Sequence, residues 1–168
     1  VRHALNAWYF VPYSADELEY HLPKLAHWIQ TGDLYRPDTL DTRSFFPSGQ
    51  QILQVWWVGI LQHDAFIEGA SLEAAALSMV SAALLARRLG APRTGGLLAG
   101  ILFGSMPIVL LHATCAMNDL TAAALVAASF ALVARPPHAV HALALACVAI
   151  TIGSGVKPTV MFAAPGIG

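Results

Sequence analysis

The strongest constraint in this sequence is a hundred-residue stretch with almost no charge. Residues 69–168 hold seven of the nineteen charged side chains, five basic and two acidic. Residues 1–68 hold the other twelve, four basic and eight acidic. A surface facing water normally carries far more charge than the second stretch does, since about 25% of residues in soluble domains are charged. The whole chain is 57% hydrophobic with a mean hydropathy of +0.60. The sequence therefore predicts an all-α, polytopic helical membrane protein.

Hydropathy and breakers divide the chain. Residues 1–13 are aromatic and mixed, with a turn at Pro12. Ser14, with Glu17 three residues on, is a capping-box signature. It predicts a helix to about Gln30, kinked or divided at Pro23 and stopped at Gly32-Asp33. Residues 32–49 read as a polar loop, so 14–49 form an outer-face loop with a helix. Residues 50–62 read as a short tryptophan-rich interfacial helix. Spans are predicted over 69–89, 94–113, 117–134, 138–153 and 157–168, the last truncated. Gly96, Gly100 and Gly104 are small-residue packing positions, with Gly95 read the same way. Pro107 should kink the second span, and Gly153-Ser154-Gly155 should break the fourth. Glu73, inside the first span, has no explanation at this level.

Arg87, Arg88, Arg93 and Arg135, with His138 and His141, fall at alternate turns of the hairpins, which places that side in the cytoplasm. The chain begins at Val1 and stops soon after an apolar run has begun, so both ends read as cut from a longer protein. The net charge of −1 and the lack of a basic patch argue against nucleic acid as a partner. Cys115 and Cys147 lie in apolar runs and read as small buried hydrophobes.

Asp119 stands between two apolar runs. It reads either as a helix cap, with Asn118 as the other candidate, or as a functional carboxylate at membrane depth. Asp16-Glu17 reads either as a capped first turn or as a carboxylate pair for acid/base or metal chemistry. Glu17, Tyr20, His21 and Lys24 are spaced to share one helix face. Lys157 reads as a phosphate contact or a snorkelling lysine. His21, His63 and His112 are candidate ligands or acid/base groups, and Glu17, His112 and Asp119 are the metal candidates. No His-x3-His motif, P-loop, GxGxxG or nucleophile elbow occurs.

The stretch SADELEYHLPKLAHWIQTGDLYR resembles the first outer loop of C-superfamily integral-membrane glycosyltransferases. The likeness is to the protein O-mannosyltransferase-like and lipid A aminoarabinose transferase-like groups. It is carried by Asp16-Glu17, Tyr20, Trp28 and Gly32-Asp33, with Tyr20–Pro23 resembling a bacterial variant. Phe46-Pro47, Asp119 and Gly155-Val156-Lys157-Pro158 follow in the family's order, so the resemblance spans about residues 13–165. It implies an inverting glycosyltransferase of the bacterial inner membrane, with its active face periplasmic or extracellular. The donor would be a polyprenyl-phosphate-linked sugar and the acceptor a glycan, lipid or protein. Asp16, Glu17 and Asp119 would be catalytic, with Asp16 as base. Tyr20, His21, Lys24, His112 and Lys157 would bind substrate, and the site admits a divalent cation. Leu18-Glu19 and His21-Leu22-Pro23 depart from the family pattern, which leaves the acceptor open. The rival readings are a transporter or flippase of a lipid-linked substrate, and a non-catalytic membrane scaffold.

Overall fold

The computed structural model describes residues 14–35, 42–134 and 140–166. The expected turn at Pro12, the arginine and prolines at 135–137, and His138 lie outside the described residues.

A helix starts after Ser14, and half of the expected capping box forms. The Glu17 carboxylate accepts from the Ser14 backbone N–H at 3.2 Å. The Ser14 hydroxyl instead donates to the Met117 sulfur at 3.4 Å. Pro23 acts upstream of itself. Glu17–His21 forms a π-helical turn, and α1 (Leu22–Thr31) follows directly. A proline lacks an N–H and crowds the carbonyl four residues back. The widened turn accommodates this, with the Leu22 N–H reaching the Glu17 carbonyl. Gly32 ends α1 in the left-handed region at φ 73°, as the sequence predicts.

A 3-10 turn, Thr42–Phe45, leads to α2 (Gly49–Leu61), and another, Asp64–Phe66, leads to α3 (Gly69–Arg88). Next come α4 (Arg93–Gly104), α5 (Pro107–His112), α6 (Asp119–Val133) and α7 (Val140–Val156). A 3-10 segment, Pro158–Gly166, closes the described chain. Among the described residues the fold is all-α, without strands. Helix α3 packs against α4 and α6, and α6 against α7.

Small residues set these helix contacts. A Cβ at Gly100 would stand 2.7 Å from the Met79 carbonyl oxygen, and one at Gly96 would stand 3.0 Å from that of Ala83. One at Gly104 would run into the Met79 side chain. The three glycines form the predicted seam, whereas Gly95 faces Ala91 and Pro92 just before its own helix.

The polytopic membrane architecture is corrected. One described helix, α3, is long and apolar enough to cross a membrane by length and composition. The expected second span is two helices, because Pro107 opens a new helix rather than kinking one. The third and fourth have 15 and 17 residues. At about 1.5 Å per residue they measure roughly 22–26 Å, short of the ~30 Å hydrocarbon thickness. The fifth expected span is the 3-10 segment, and α7 runs through Gly153-Ser154-Gly155 unbroken. These helices pack tightly on one another, and the reading of an integral inner-membrane protein of four to five spans falls with them. Arg88, assigned to a cytoplasmic side, donates to the Leu132 carbonyl at 3.1 Å and so closes the end of α6. Glu73 is solvent-exposed on α3, while Leu97, Leu98, Ile101 and Leu102 remain exposed on α4.

Helix α2 corrects a second expectation. It was expected to lie at the membrane interface, which its tryptophans favour. Gln50, Gln51 and Gln54 are instead completely buried, whereas Trp56 and Ile60 are about two-thirds exposed (66% and 68%). Periodicity defines a face, but it does not say which side of that face meets the protein.

Candidate functional site

The face predicted from spacing is real, and it points inward. Glu17, Tyr20, His21 and Lys24 are all buried, Glu17 at 0% exposure. The Glu17 carboxylate accepts from the backbone N–H groups of Ser14 and Ala116. It thereby ties the first turn to the segment between α5 and α6. This is a structural role for a residue expected to be catalytic. The Lys24 ammonium donates to the Phe46 carbonyl at 3.0 Å and the Ser48 hydroxyl at 3.1 Å. A buried ammonium needs such acceptors, since leaving it without hydrogen bonds costs several kcal/mol, of the order of ~3 or more.

Tyr20 is the hub. Its ring lies 4.2 Å from the His21 ring, centroid to centroid, and meets Phe46 edge-on at 6.0 Å. The Arg43 guanidinium sits over it at 5.1 Å. Burial pushes the Tyr20 phenol above its usual pKa, Asp16 and Asp119 push the same way, and Arg43 opposes them. Asp16 pairs with Arg43 at 3.5 Å, and Arg43 meets Glu19 at 2.6 Å.

On the other side, Asp119 opens α6 and pairs with Lys157, which follows the last residue of α7. Both charges suit their helix ends, acid at an N-terminus and base at a C-terminus. The Asn118 amide donates to the Val156 carbonyl at 3.2 Å and holds the same two ends together. Lys157 therefore meets a carboxylate where a phosphate contact was one expectation. The Asp16 side chain makes no capping hydrogen bond at the first turn, and neither does the Asn118 side chain at the start of α6, where Asp119 is the first helical residue.

His21 is held neutral. Burial lowers its pKa to about 4, with Lys24 and Lys157 acting in the same direction and Asp16 and Asp119 against it. Its Nδ1 meets the Gln51 amide nitrogen, and its Nε2 is buried without a partner. Asp16, Tyr20, His21, Lys24, Arg43, Asp119 and Lys157 thus share one electrostatic neighbourhood.

Two candidates fall outside it. His63 is exposed and pairs with its neighbour Asp64 at 3.2 Å. His112 ends α5 with its Nδ1 buried and lacking a hydrogen-bond partner. Among the described residues no group of three or more His, Cys, Asp or Glu side chains is arranged to hold a metal ion, the expected Glu17, His112 and Asp119 included. Cys115 is buried as expected, whereas Cys147 is exposed.

Arg43 and Gln51 were missed by the sequence reading. Arg43 sits in a polar loop without periodicity. Gln51 signals itself only as one of three glutamines in an otherwise apolar helix. Glu68 was also passed over. It is 3% exposed, and burial raises its pKa to about 7, with Glu17 and Asp64 acting the same way and its own backbone N–H against them.

No family model, curated protein or solved structure matches this chain. The resemblance to C-superfamily glycosyltransferases is therefore not sustained. With it fall the assignments as a mannosyltransferase-like transferase and as a transporter of a lipid-linked substrate. The membrane-scaffold reading falls with the polytopic architecture.

Proposed function

We propose that the cluster around Tyr20 is the binding and acid–base site of an enzyme whose ligand is rich in hydroxyl groups and neutral or positively charged. The supporting observation is that Asp16 and Asp119, far apart in sequence, both act electrostatically on one buried phenol. Both carboxylates keep substantial exposure, 46% and 40% of their side chains, so their free lone pairs are open to a ligand. Carboxylates that accept from hydroxyls, beside aromatic faces, suit a polyol or sugar-like molecule. Phe45 and Phe46 supply exposed apolar faces at the rim.

Charge favours this ligand class over an anion. Asp16, Glu17, Glu19 and Asp119 outnumber Lys24, Arg43 and Lys157 by four to three. Arg43 and Lys157 already face carboxylates. In this reading Asp16 accepts the proton of a bound hydroxyl. Tyr20 and Arg43 orient it, and neutral His21 contributes no competing positive charge.

The test is calorimetric and NMR titration of the intact chain with monosaccharides, cyclitols and amino sugars, with sugar phosphates as the anionic comparison. Neutral and amino ligands should bind and shift the Tyr20 and His21 ring signals. Asp16→Asn should weaken binding at least tenfold, an expected loss of about 1.4 kcal/mol or more, with the melting temperature unchanged. Binding confined to the phosphates, or unaltered by Asp16→Asn, would overturn the assignment.

A further inference from the structure

The helix contacts run in a row, α4–α3–α6–α7. At one end of the row, α7 is met by α2 and by the closing 3-10 segment. At the other end, α3 is the only described helix packed extensively on α4. The seam of Gly96, Gly100 and Gly104 takes one side of α4. Leu97, Leu98, Ile101 and Leu102 recur at the spacing of a single helix face, on the side away from that seam. All four are more than half exposed, at 55–66%.

Chemistry limits what such a face accepts. Residues 94–118 contain no Asp, Glu, Lys or Arg. A charge-free aliphatic surface offers a polar partner nothing to bond, and it suits another aliphatic surface. Met106 and Ile108, about half exposed, follow directly along the chain. At roughly 100 Å² apiece the six side chains leave about 600 Å² bare, at the upper limit of the largest patch on a typical monomer. Two copies meeting there would bury about 1,200 Å², the lower bound of a specific, stable interface.

The charges around this face select the partner and its direction. Gly96 lies against the Arg87 side chain and Gly104 against Met79, so α3 and α4 run antiparallel. Arg87 and Arg93 therefore stand at one end of the pair, and Glu73, exposed in the first turns of α3, stands toward the other. A second copy turned about a two-fold axis perpendicular to α4 sets each basic end beside the other's acidic end. A parallel copy would set arginine against arginine. The antiparallel, isologous arrangement is thus the complementary one.

We propose that α4 docks antiparallel on α4 of a second copy, with residues 97–102 at the centre of the contact and Glu73 at its rim. None of these residues belongs to the cluster around Tyr20, so the dimer stands or falls apart from that site.

The experiment is sedimentation equilibrium of the intact chain in detergent-free buffer, from about 1 µM to about 300 µM. The mass should rise from that of one 17.8 kDa chain toward twice that, with a Kd on the order of 10 µM for so small an interface. Leu98→Glu and Leu102→Glu should each raise Kd by about tenfold or more, because each buries an unpaired charge in the dimer. Both positions face solvent in the single chain, so the Tm of dilute protein should not move. Glu73→Arg should weaken the dimer by about threefold. In a mixture of isotope-labelled and unlabelled wild-type chains, filtered nuclear Overhauser signals should join Leu98 of one copy to Ile101 of the partner subunit. That measurement decides the question should a variant fail to fold. A single-chain mass throughout overturns the proposal, and so does a dimer that survives Leu98→Glu and Leu102→Glu together or that joins Leu98 to its own counterpart. A monomer that instead sediments with phosphatidylcholine vesicles overturns it too, and assigns the face to lipid.

Discussion

The two halves of the described chain differ in how much polar material they bury. Residues 14–68 put Glu17, His21, Lys24, Gln50, Gln51, Gln54 and Glu68 inside, beside Tyr20, Leu25 and Trp28. From α3 onward the interior is largely glycine, alanine and serine, with a few branched residues such as Val109, Ile150 and Val160. The second region is held by the close approach of backbones, which tolerates almost no added volume. The first is held by directional hydrogen bonds, which tolerate volume changes but not the loss of a partner. The difference teaches where chemistry can reside. Close-packed small residues give rigidity, and the polar half uses that rigidity to hold Asp119 and Lys157 opposite Asp16 and Tyr20.

The largest expected effect tests the small-residue half. Gly100→Val puts a side chain against the Met79 backbone and should destabilise the protein by about 3 kcal/mol, lowering Tm by roughly 6–12 °C. Denaturant unfolding measures this. Ring signals of Tyr20 and His21 should stay in place below the transition. If they move as much as the α3–α4 signals do, the two halves are not separable.

Next comes Glu17→Ala, which strands the Ser14 and Ala116 N–H groups and should cost about 2–3 kcal/mol. Unlike the glycine variant, it should shift the Tyr20 and His21 signals. A loss below 0.5 kcal/mol would show that the polar half does not depend on this tie.

His21 gives a pH signature of similar size. Its folded pKa, about 4, lies below the ordinary 6.5, so the unfolded chain binds more protons in that window. Its contribution is present above pH 6.5 and is lost as pH falls toward 4. The stability difference between wild type and His21→Gln should therefore change by on the order of 2–3 kcal/mol across that range, favouring wild type increasingly as pH rises. A flat difference curve would mean that His21 is not held neutral.

The smallest effect is that of Arg43→Ala. Its pairs are partly exposed and should be worth less than about 1 kcal/mol of stability. It should nonetheless raise the Tyr20 phenol pKa further, which absorbance titration reads directly. A large stability loss with no change at Tyr20 would make Arg43 a fold residue rather than part of the site.

Some of this was legible in the sequence because it depends on local spacing. Ser14 and Glu17 announced a helix start, Gly32 its end, and Glu17, Tyr20, His21 and Lys24 their common face. The Gly96–Gly104 seam was equally plain. What failed was inference from hydrophobicity to surroundings. Apolar runs of 12–17 residues look alike whether they span a bilayer or pack on one another, and Pro107 decided between one helix and two. The glutamines of α2 show the same gap from the other side, since an amphipathic pattern does not reveal which face is covered. Asp119 and Lys157 were each singled out, but their pairing depends on where α7 ends, and the glycines at 153 and 155 hid that.

The Glu17 carboxylate that meets the Ala116 N–H also joins positions 99 residues apart, and Ser14 and Met117 are 103 apart. Contacts between neighbours along the chain, such as those of α3 with α4, close small loops and form early, whereas such distant ones close last. The cluster around Tyr20 is therefore expected to assemble after the helices that support it and to open before they do. Hydrogen exchange at the Ala116 amide times that opening, and it should be faster than exchange in the middle of α3.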